Sequence, residues 1–423
     1  MAHEDPDTAV LPREEVIPLI ISQLSEYGYA NLASVIAEHT NTRSSLSPSS
    51  RLAELCYMGV KSEGLQEGED MEIGRRDSDD EDEHDENARP GTYLNLDVDS
   101  KQGKYPPPPN FQTWYITTHK AGCQTAVFSP DGKYVATGSA DTSLKVLDVS
   151  KMNTRSDSGE DRPVIRTLYD HVAPVNDLAF HPNGLVLASC SDDQSIKLYD
   201  LSKPNVKRAF RYLQDSHAVR SIAFHPAGDF ICAGTDHEAL RIYDVKTFQC
   251  YIPAKNPTDL HKGGITQVRF ASDGSQVVTS SLDGSIKVWD LVSGKCVRTI
   301  EGAHSGAAVS SARFSKNGKY ILSGGQDSVA KLWDVGSGKL IHGFEGAAHK
   351  TNILQTTFTC NEDYVMSSDE VNNTVVCWDS RTGALLKRWT GHTNTIRCIA
   401  TSPTEQCFVS CSDDHRARYW HIE

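Results

Sequence analysis

A large apolar residue followed by a polar one, usually aspartate, punctuates the chain at Leu147-Asp148, Tyr199-Asp200, Tyr243-Asp244, Trp289-Asp290, Trp333-Asp334, Trp378-Asp379 and Trp420-His421. The intervals are 52, 44, 46, 44, 45 and 42 residues, enough for four short strands with their turns. A histidine stands upstream in each copy, at His119, His171, His217, His261, His304, His349 and His392, with Phe or a substitute about nine residues later. Turn residues come next, as in Pro130-Asp131-Gly132 and Pro182-Asn183-Gly184, where proline fixes φ and glycine tolerates a positive one. The pattern predicts seven four-stranded units over residues 111–423.

The amino-terminal pattern is different. Val16, Leu19, Ile20, Leu24 and Tyr27 fall at helical spacing and Gly28 sits where a helix would end, so a helix is predicted near 15–26 with Pro18 in its first turn. A second helix runs through Leu32, Val35 and Ile36. Ser47-Pro48 opens a third, with Leu52 and Leu55, as an N-cap followed by proline at the first helical position. Ile17 and Ile21 lie off the main stripe and give the first helix a second apolar face. Three short helices make a marginal core, and pairing is the usual remedy. Homodimerisation through Ile17, Ile20, Ile21 and Leu24 is therefore expected.

Charge separates these two parts. The chain carries a net charge of −14, but thirteen acidic residues lie between Glu63 and Asn87 against only Arg75 and Arg76. Few apolar residues and dense like charge predict disorder there, and Pro106 to Pro109 predict a stiff approach to the first repeat. Ser78 precedes Asp79-Asp80-Glu81, an acidic context resembling that of acid-directed kinase sites. The expected organisation is a flexible terminus (1–14), a small all-α dimerisation module (15–60), an acidic, Pro-rich disordered linker (61–110) and an all-β domain (111–423). Eleven cysteines include no Cys-x-x-Cys pair, which disfavours a zinc knuckle or disulfide framework and suits reduced thiols. Met1 to Asp7 has no apolar run, so no signal peptide is expected. Val16 to Ile21, the longest apolar stretch, falls short of the roughly 20 residues of a membrane span.

The seven repeats resemble the WD-repeat family, which implies a seven-bladed β-propeller, the WD40 fold, closed into a ring that leaves only short sheet edges. Closure needs a strand from outside the last repeat, and Phe111 to Thr117, alternating aromatic and polar, is the candidate. His119 and Asp141, His171 and Asp193, His261 and Asp283, and His392 and Asp414 are 22 residues apart, and His304 and Asp327 are 23 apart. One such pair beside a serine could pass for part of a hydrolase triad, but a catalytic site needs one constellation and five copies imply a structural part of each blade. In the resembling family the His and Asp join a Ser or Thr and the tryptophan, here Trp289, Trp333 and Trp420, in a buried hydrogen-bond network. Leu147, Tyr199 and Tyr243 replace that tryptophan in the first three repeats. His237 takes the aspartate register in the third, and Asp369 is displaced in the sixth. Blades three and six are therefore expected to lack the standard network and to be softer.

Other motifs have simpler readings. Gly336-Ser337-Gly338-Lys339 lacks the first glycine of a phosphate-binding loop and shares its repeat position with Ser293-Gly294-Lys295, so hairpin turns are expected. Lys203, Lys207, Arg208 and Arg211, with Phe210 and Tyr212 between them, read as a solvated inter-blade loop rather than an RNA contact. Four residues before each repeat's Phe or its equivalent stand Gln124, Asn176, Arg220, Thr266, Ser310, Leu354 and Arg397. Equal repeat positions should circle one mouth of the channel, with Arg220 and Arg397 as candidate protein-binding residues. An alternative is that both arginines pair with neighbouring acids. No catalytic, cofactor-binding or metal-ligating residue is assigned.

Longer strings narrow the family. Pro163-Val-Ile-Arg-Thr-Leu-Tyr-Asp-His171, Lys207-Arg-Ala-Phe210, Asp327-Ser-Val-Ala-Lys-Leu-Trp333 and Cys411-Ser-Asp-Asp-His-Arg-Ala-Arg418 resemble the WD-repeat subunits of cleavage stimulation factor. Leu19-Ile-Ile-Ser-Gln-Leu24 with Tyr27-Gly28-Tyr29 does so in the helical module. The resemblance implies a nuclear, non-catalytic role in pre-mRNA 3′-end cleavage and polyadenylation. It also implies homodimerisation, a propeller that binds the helical-repeat scaffold subunit, RNA reached only through the complex, and no membrane. A helical dimerisation motif before a propeller also resembles ubiquitin-ligase substrate receptors and microtubule-motor regulators. A propeller hydrolase would need a unique polar cluster, and the repeats show none.

Overall fold

The computed structural model describes Leu94, Leu96 and residues 109–422 apart from 155–161, 204 and 255. The chain divides into two units, residues 1–87 and 88–423, and all described residues belong to the second. Ile17, Ile20, Ile21, Leu24, the predicted helices and the acidic tract with Ser78 lie outside the described residues.

Seven four-stranded antiparallel sheets form the blades of a β-propeller. Blades 1 to 6 use consecutive strands, spanning residues 123–169, 175–214, 219–251, 265–300, 309–344 and 357–389. Blade 7 is different. Three of its strands come from residues 396–422 and its outermost is Phe111–Thr118, paired antiparallel with Arg416–Ile422 so that Phe111 faces Ile422. This is the closing strand that the alternation predicts. Phe111 anchors it, with its ring edge-on to Trp389 at 5.4 Å and to Phe408 at 5.0 Å.

Position within the blade explains composition. Inner strands such as Val186–Ser191 and Tyr320–Gly325 are buried on both faces and are apolar or small throughout. Outermost strands such as Lys295–Ile300 alternate exposed and half-buried residues, and their charges discourage pairing with another chain. Two register slips recur. One lies beside the tryptophan position, as between Val288 and Trp289 and between Leu332 and Trp333. The other lies at the second residue of the innermost strand in every blade except the sixth.

The turn after each innermost strand holds glycine in the first five blades, with φ between 69° and 84°, where a side chain would be strained. In blade 6 the same position is Glu362, at φ 59°. Its carboxylate has a use. Leu94 is fully buried between blades 5 and 6 among Tyr320, Phe344 and Trp378, and its N–H donates to Glu362 Oε2 at 3.0 Å. Asn317 Nδ2 donates to the Leu94 carbonyl at 2.6 Å, and the Leu96 N–H donates to the Tyr320 hydroxyl at 3.3 Å. The chain is thus anchored to the propeller inside the segment expected to be a linker, well before the closing strand.

Because closure rests on Phe111, Phe111→Ala should destabilise the propeller by about 3 kcal/mol or more. A chain beginning at residue 120, which lacks the closing strand, should melt earlier and over a broader range. Calorimetry of the two variants against the parent measures both effects.

Candidate functional site

The repeated histidines are buried within their blades, except His217, which is half-buried. In blade 5 the His304 Nδ1–H donates to Asp327 at 2.7 Å, Ser323 Oγ lies 2.8 Å from Nε2, and Trp333 Nε1 donates to the same hydroxyl at 2.8 Å. Blade 7 repeats the set with His392, Asp414, Ser410 and Trp420 at 2.7–2.8 Å. Blade 4 does so with His261, Thr279 and Trp289, Asp283 standing 3.3 Å from Nδ1 and Ser285 nearer at 2.9 Å. Blades 1 and 2 keep the histidine bonds without the tryptophan. His171 meets Asp193 at 2.7 Å and Ser189 at 2.6 Å, whereas His119 reaches Ser143 and Thr137 with Asp141 3.7 Å away.

Blades 3 and 6 lack the standard network and replace it. In blade 3, Asp215 is buried, pairs with Arg241 Nε at 2.9 Å and accepts from the Tyr243 hydroxyl. His217 instead lies against His237, the rings tilted by 54° with centroids 5.0 Å apart. In blade 6, Glu370 accepts the N–H of Lys350 and of Thr351 at 2.8 and 3.1 Å, while Asp369 pairs with Arg388 at 2.6 Å. Trp378 Nε1 donates to the Glu345 carbonyl at 2.8 Å. None of these groups forms a solvent-open nucleophile and base. Among the described residues no three His, Cys, Asp or Glu side chains cluster as metal ligands.

The predicted mouth ring has a structural cause. In blade 3 Val219 pairs with Thr235 and Ser221 with Gly234, which leaves Arg220 as the bulged residue. The same slip leaves out Gln124, Asn176, Thr266, Ser310 and Arg397. A bulge re-aims its side chain, and these six residues line one cavity of about 330 Å³ at the channel mouth. Leu354 does not join them. In blade 6 only Thr357–Phe358 pair with the next strand, so no bulge forms; Leu354 is fully buried and Ile353 lines the mouth in its place.

Both arginines of the ring are engaged with acids. Arg220 pairs with Asp236 through Nε at 2.6 Å and with Asp192 through Nη1 at 2.7 Å, while Arg397 Nη2 meets Asp413 at 2.6 Å. Hydrogen bonding to Asp236 raises the Arg220 pKa further. Asn176 Nδ2 also donates to Asp192, at 2.8 Å. The mouth is therefore a polar, ion-paired rim that can offer directed hydrogen bonds without an unpaired charge.

The other motifs are structural as well. Gly294, Gly338 and Gly383 all have φ between 68° and 71°, and Ser337 N donates to Asp334 in a turn, not to a phosphate. Arg211 sits over the Phe248 ring at 5.0 Å, and Phe210 and Tyr212 are exposed on the rim of blade 2.

Comparison with known proteins agrees with this architecture. The family of the WD domain, G-beta repeat, matches residues 111–148, 162–200, 210–244, 258–290, 294–334 and 383–421. The longest stretch of the propeller left unmatched, 335–382, carries most of blade 6, one of the two blades that lack the standard network. The family Cleavage stimulation factor subunit 1, dimerisation domain, matches residues 8–64. Cleavage stimulation factor subunit 50 of Arabidopsis thaliana is 41% identical over 408 residues, 95% of this chain and 94% of that protein. The chain belongs to the WD-repeat subunits of cleavage stimulation factor.

More distant relatives match only parts of this cleavage stimulation factor subunit. Nuclear distribution protein PAC1 of Coccidioides posadasii is 27% identical over 62% of this chain and 59% of its own length. The Cps50 (Swd1) β-propeller domain of Myceliophteria thermophila superposes with a TM-score of 0.63 at 16% identity, over 74% of this chain and 100% of that one, which shows the fold alone.

Some residues of the subunit carry sequence signals that the repeat pattern alone does not single out. Asp215 stands two residues before His217, with Arg241 and Tyr243 on the strand that faces it. One residue before each Phe or its equivalent stand Val127, Ala179, Ala223, Arg269, Arg313, Thr357 and Ala400, so two neighbouring repeats place arginine where the others have small residues.

The buried imidazoles make stability pH-dependent. Burial holds His261, His304, His349 and His392 below the ordinary value of 6.5, against the opposing pull of neighbouring carboxylates and carbonyls. The folded state keeps these rings neutral while the unfolded chain takes up protons below pH 6.5, so stability is present above that pH and is lost as pH falls through it. The carboxylates of Asp193 and Asp283 are shifted downward and titrate only in strong acid. Thermal melts from about pH 8 to about pH 5 should therefore show a melting temperature that declines below about 6.5.

Proposed function

We propose that this chain is a non-catalytic scaffold subunit of the nuclear machinery for pre-mRNA 3′-end cleavage and polyadenylation. It homodimerises through helices within residues 15–60, reached by a linker that begins near residue 61 and ends before the Leu94 anchor, and its propeller binds the helical-repeat scaffold subunit. RNA is met only through the complex. The observation that carries this reading is the pairing of a dimerisation-domain match over residues 8–64 with 41% identity that extends over 95% of the chain. The nuclear distribution proteins, which would favour motor regulation, match over a smaller share of the chain and at lower identity over their longer alignments. The non-catalytic reading is supported by the histidine and aspartate groups, which are buried and repeated from blade to blade.

Ile17, Ile20, Ile21 and Leu24 form the proposed dimer contact. Ile20→Asp with Leu24→Asp should convert a dimer to a monomer in light scattering and leave the propeller's melting transition in place. A monomeric parent at micromolar concentration would remove the dimer proposal.

The proposed protein-binding face is the rim with Arg220 and Arg397. Lysine keeps the charge opposite Asp236 and Asp413 but loses the planar fork. Arg220→Lys with Arg397→Lys should weaken co-purification of the helical-repeat subunit several-fold with little change in melting temperature. Undiminished binding would place the contact elsewhere on the propeller.

A further inference from the structure

The second channel ring, deeper than the arginine rim and toward the opposite mouth, is built unevenly. Six of its positions, Val127, Ala179, Ala223, Arg269, Arg313 and Ala400, line a cavity of about 310 Å³. Four of those six are alanine or valine and leave the space open. The other two, on neighbouring blades 4 and 5, are arginines.

Among the described residues only one carboxylate lines this cavity, and it is fully committed. Asp177 accepts from Arg269 Nη1 at 2.9 Å, from Ser221 Oγ at 2.7 Å, from its neighbour Leu178 N at 2.9 Å and from Thr125 Oγ1 at 3.4 Å. Arg269 is held by the same group and by the Ile222 and Val268 carbonyls. Arg313 forms no direct ion pair of this kind among the described residues, and Asp177 acts on it only as a more distant charge. Its Nη1 donates to the Thr357 hydroxyl at 2.6 Å, while its Nε is buried with no acceptor. Burial, then the nearby Arg269, pushes its pKa down to about 10, so it stays cationic at neutral pH. A buried guanidinium without a directly paired anion is unfavourable, and its planar edge matches a two-oxygen acceptor.

We propose that the channel, on the Arg313 side, binds a small oxyanion, a phosphate or carboxylate group, in the fork of Arg313 with Arg269 beside it. The cavity has room for it, since a water in the liquid takes about 30 Å³. The small residues at Ala179, Ala223 and Ala400 keep the approach from the mouth clear. The site is independent of the Arg220 and Arg397 rim and of the proposed role in 3′-end processing.

The test uses the full chain, titrated calorimetrically with sodium phosphate and, in parallel, with sodium acetate, each against sodium chloride of equal ionic strength. Saturable binding of one anion per chain is expected, with the melting temperature raised by about 2–4 °C at tenfold excess over Kd. The stronger of the two salts identifies the ligand as phosphate or carboxylate. Arg313→Gln should weaken binding at least about tenfold, and Arg313→Lys, which keeps the charge and not the fork, should fall between. If Arg313→Gln fails to fold, the lysine variant decides. The proposal is overturned if chloride reproduces the shift, if neither salt gives saturable binding, or if the Arg313 variants bind as tightly as the parent.

Discussion

A buried imidazole has one nitrogen that donates and one that accepts, and once water is excluded each needs a protein partner. Leaving one unsatisfied costs about 1–3 kcal/mol, a large share of the stability of any domain. In blades 4, 5 and 7 this requirement is met by a chain of bonds from tryptophan to hydroxyl to histidine to carboxylate. The chain ties the third strand of the blade to the second and to the loop that enters from the previous blade. Where the histidine is not used this way, other groups carry ties of their own: the buried Asp215 with Arg241 and Tyr243 in blade 3, and the partly exposed Glu370 with the loop amides in blade 6. The constraint is constant although the residues that satisfy it change.

With each blade fixed internally, the channel is free to vary. The bulge at the second residue of the innermost strand turns one side chain toward the mouth in every blade but the sixth, and the position three residues later returns to the channel at a greater depth. A single strand geometry thus yields two rings of different character. The outer ring is polar and its arginines are neutralised by aspartates. The inner one is mostly small, with Arg269 and Arg313 on one side.

Much of this was legible from sequence because it is periodic. The seven units, the closing strand and the histidine networks come from repeats and from local alternation, and the substitutions Leu147, Tyr199 and His237 marked where the networks change. Leu354 was misplaced because equal spacing was assumed in blade 6, where the innermost strand begins to pair only at Thr357. The alternative that Arg220 and Arg397 pair with neighbouring acids was open in the sequence and is the one the structure shows, Arg220 with Asp192 and Asp236 from turns of two different blades and Arg397 with Asp413. Leu94 and Glu362 are joined across 268 residues and belong to no repeat, so no period could point to them.

The strand that closes the ring is the first of the propeller to be synthesised, and its partner is the last. Phe111 faces Ile422, so at roughly 5–20 residues per second the nascent ring waits about 15 to 60 seconds for its final strand. Throughout that interval the blade 7 sheet is missing and the flanks of blades 1 and 6 are uncovered, the kind of surface that invites chaperones or aggregation. Ribosomes that stall or terminate shortly before residue 416 would release six complete blades that cannot lock. Quality control can therefore recognise an unfinished molecule by its open seam, without inspecting any other part of it.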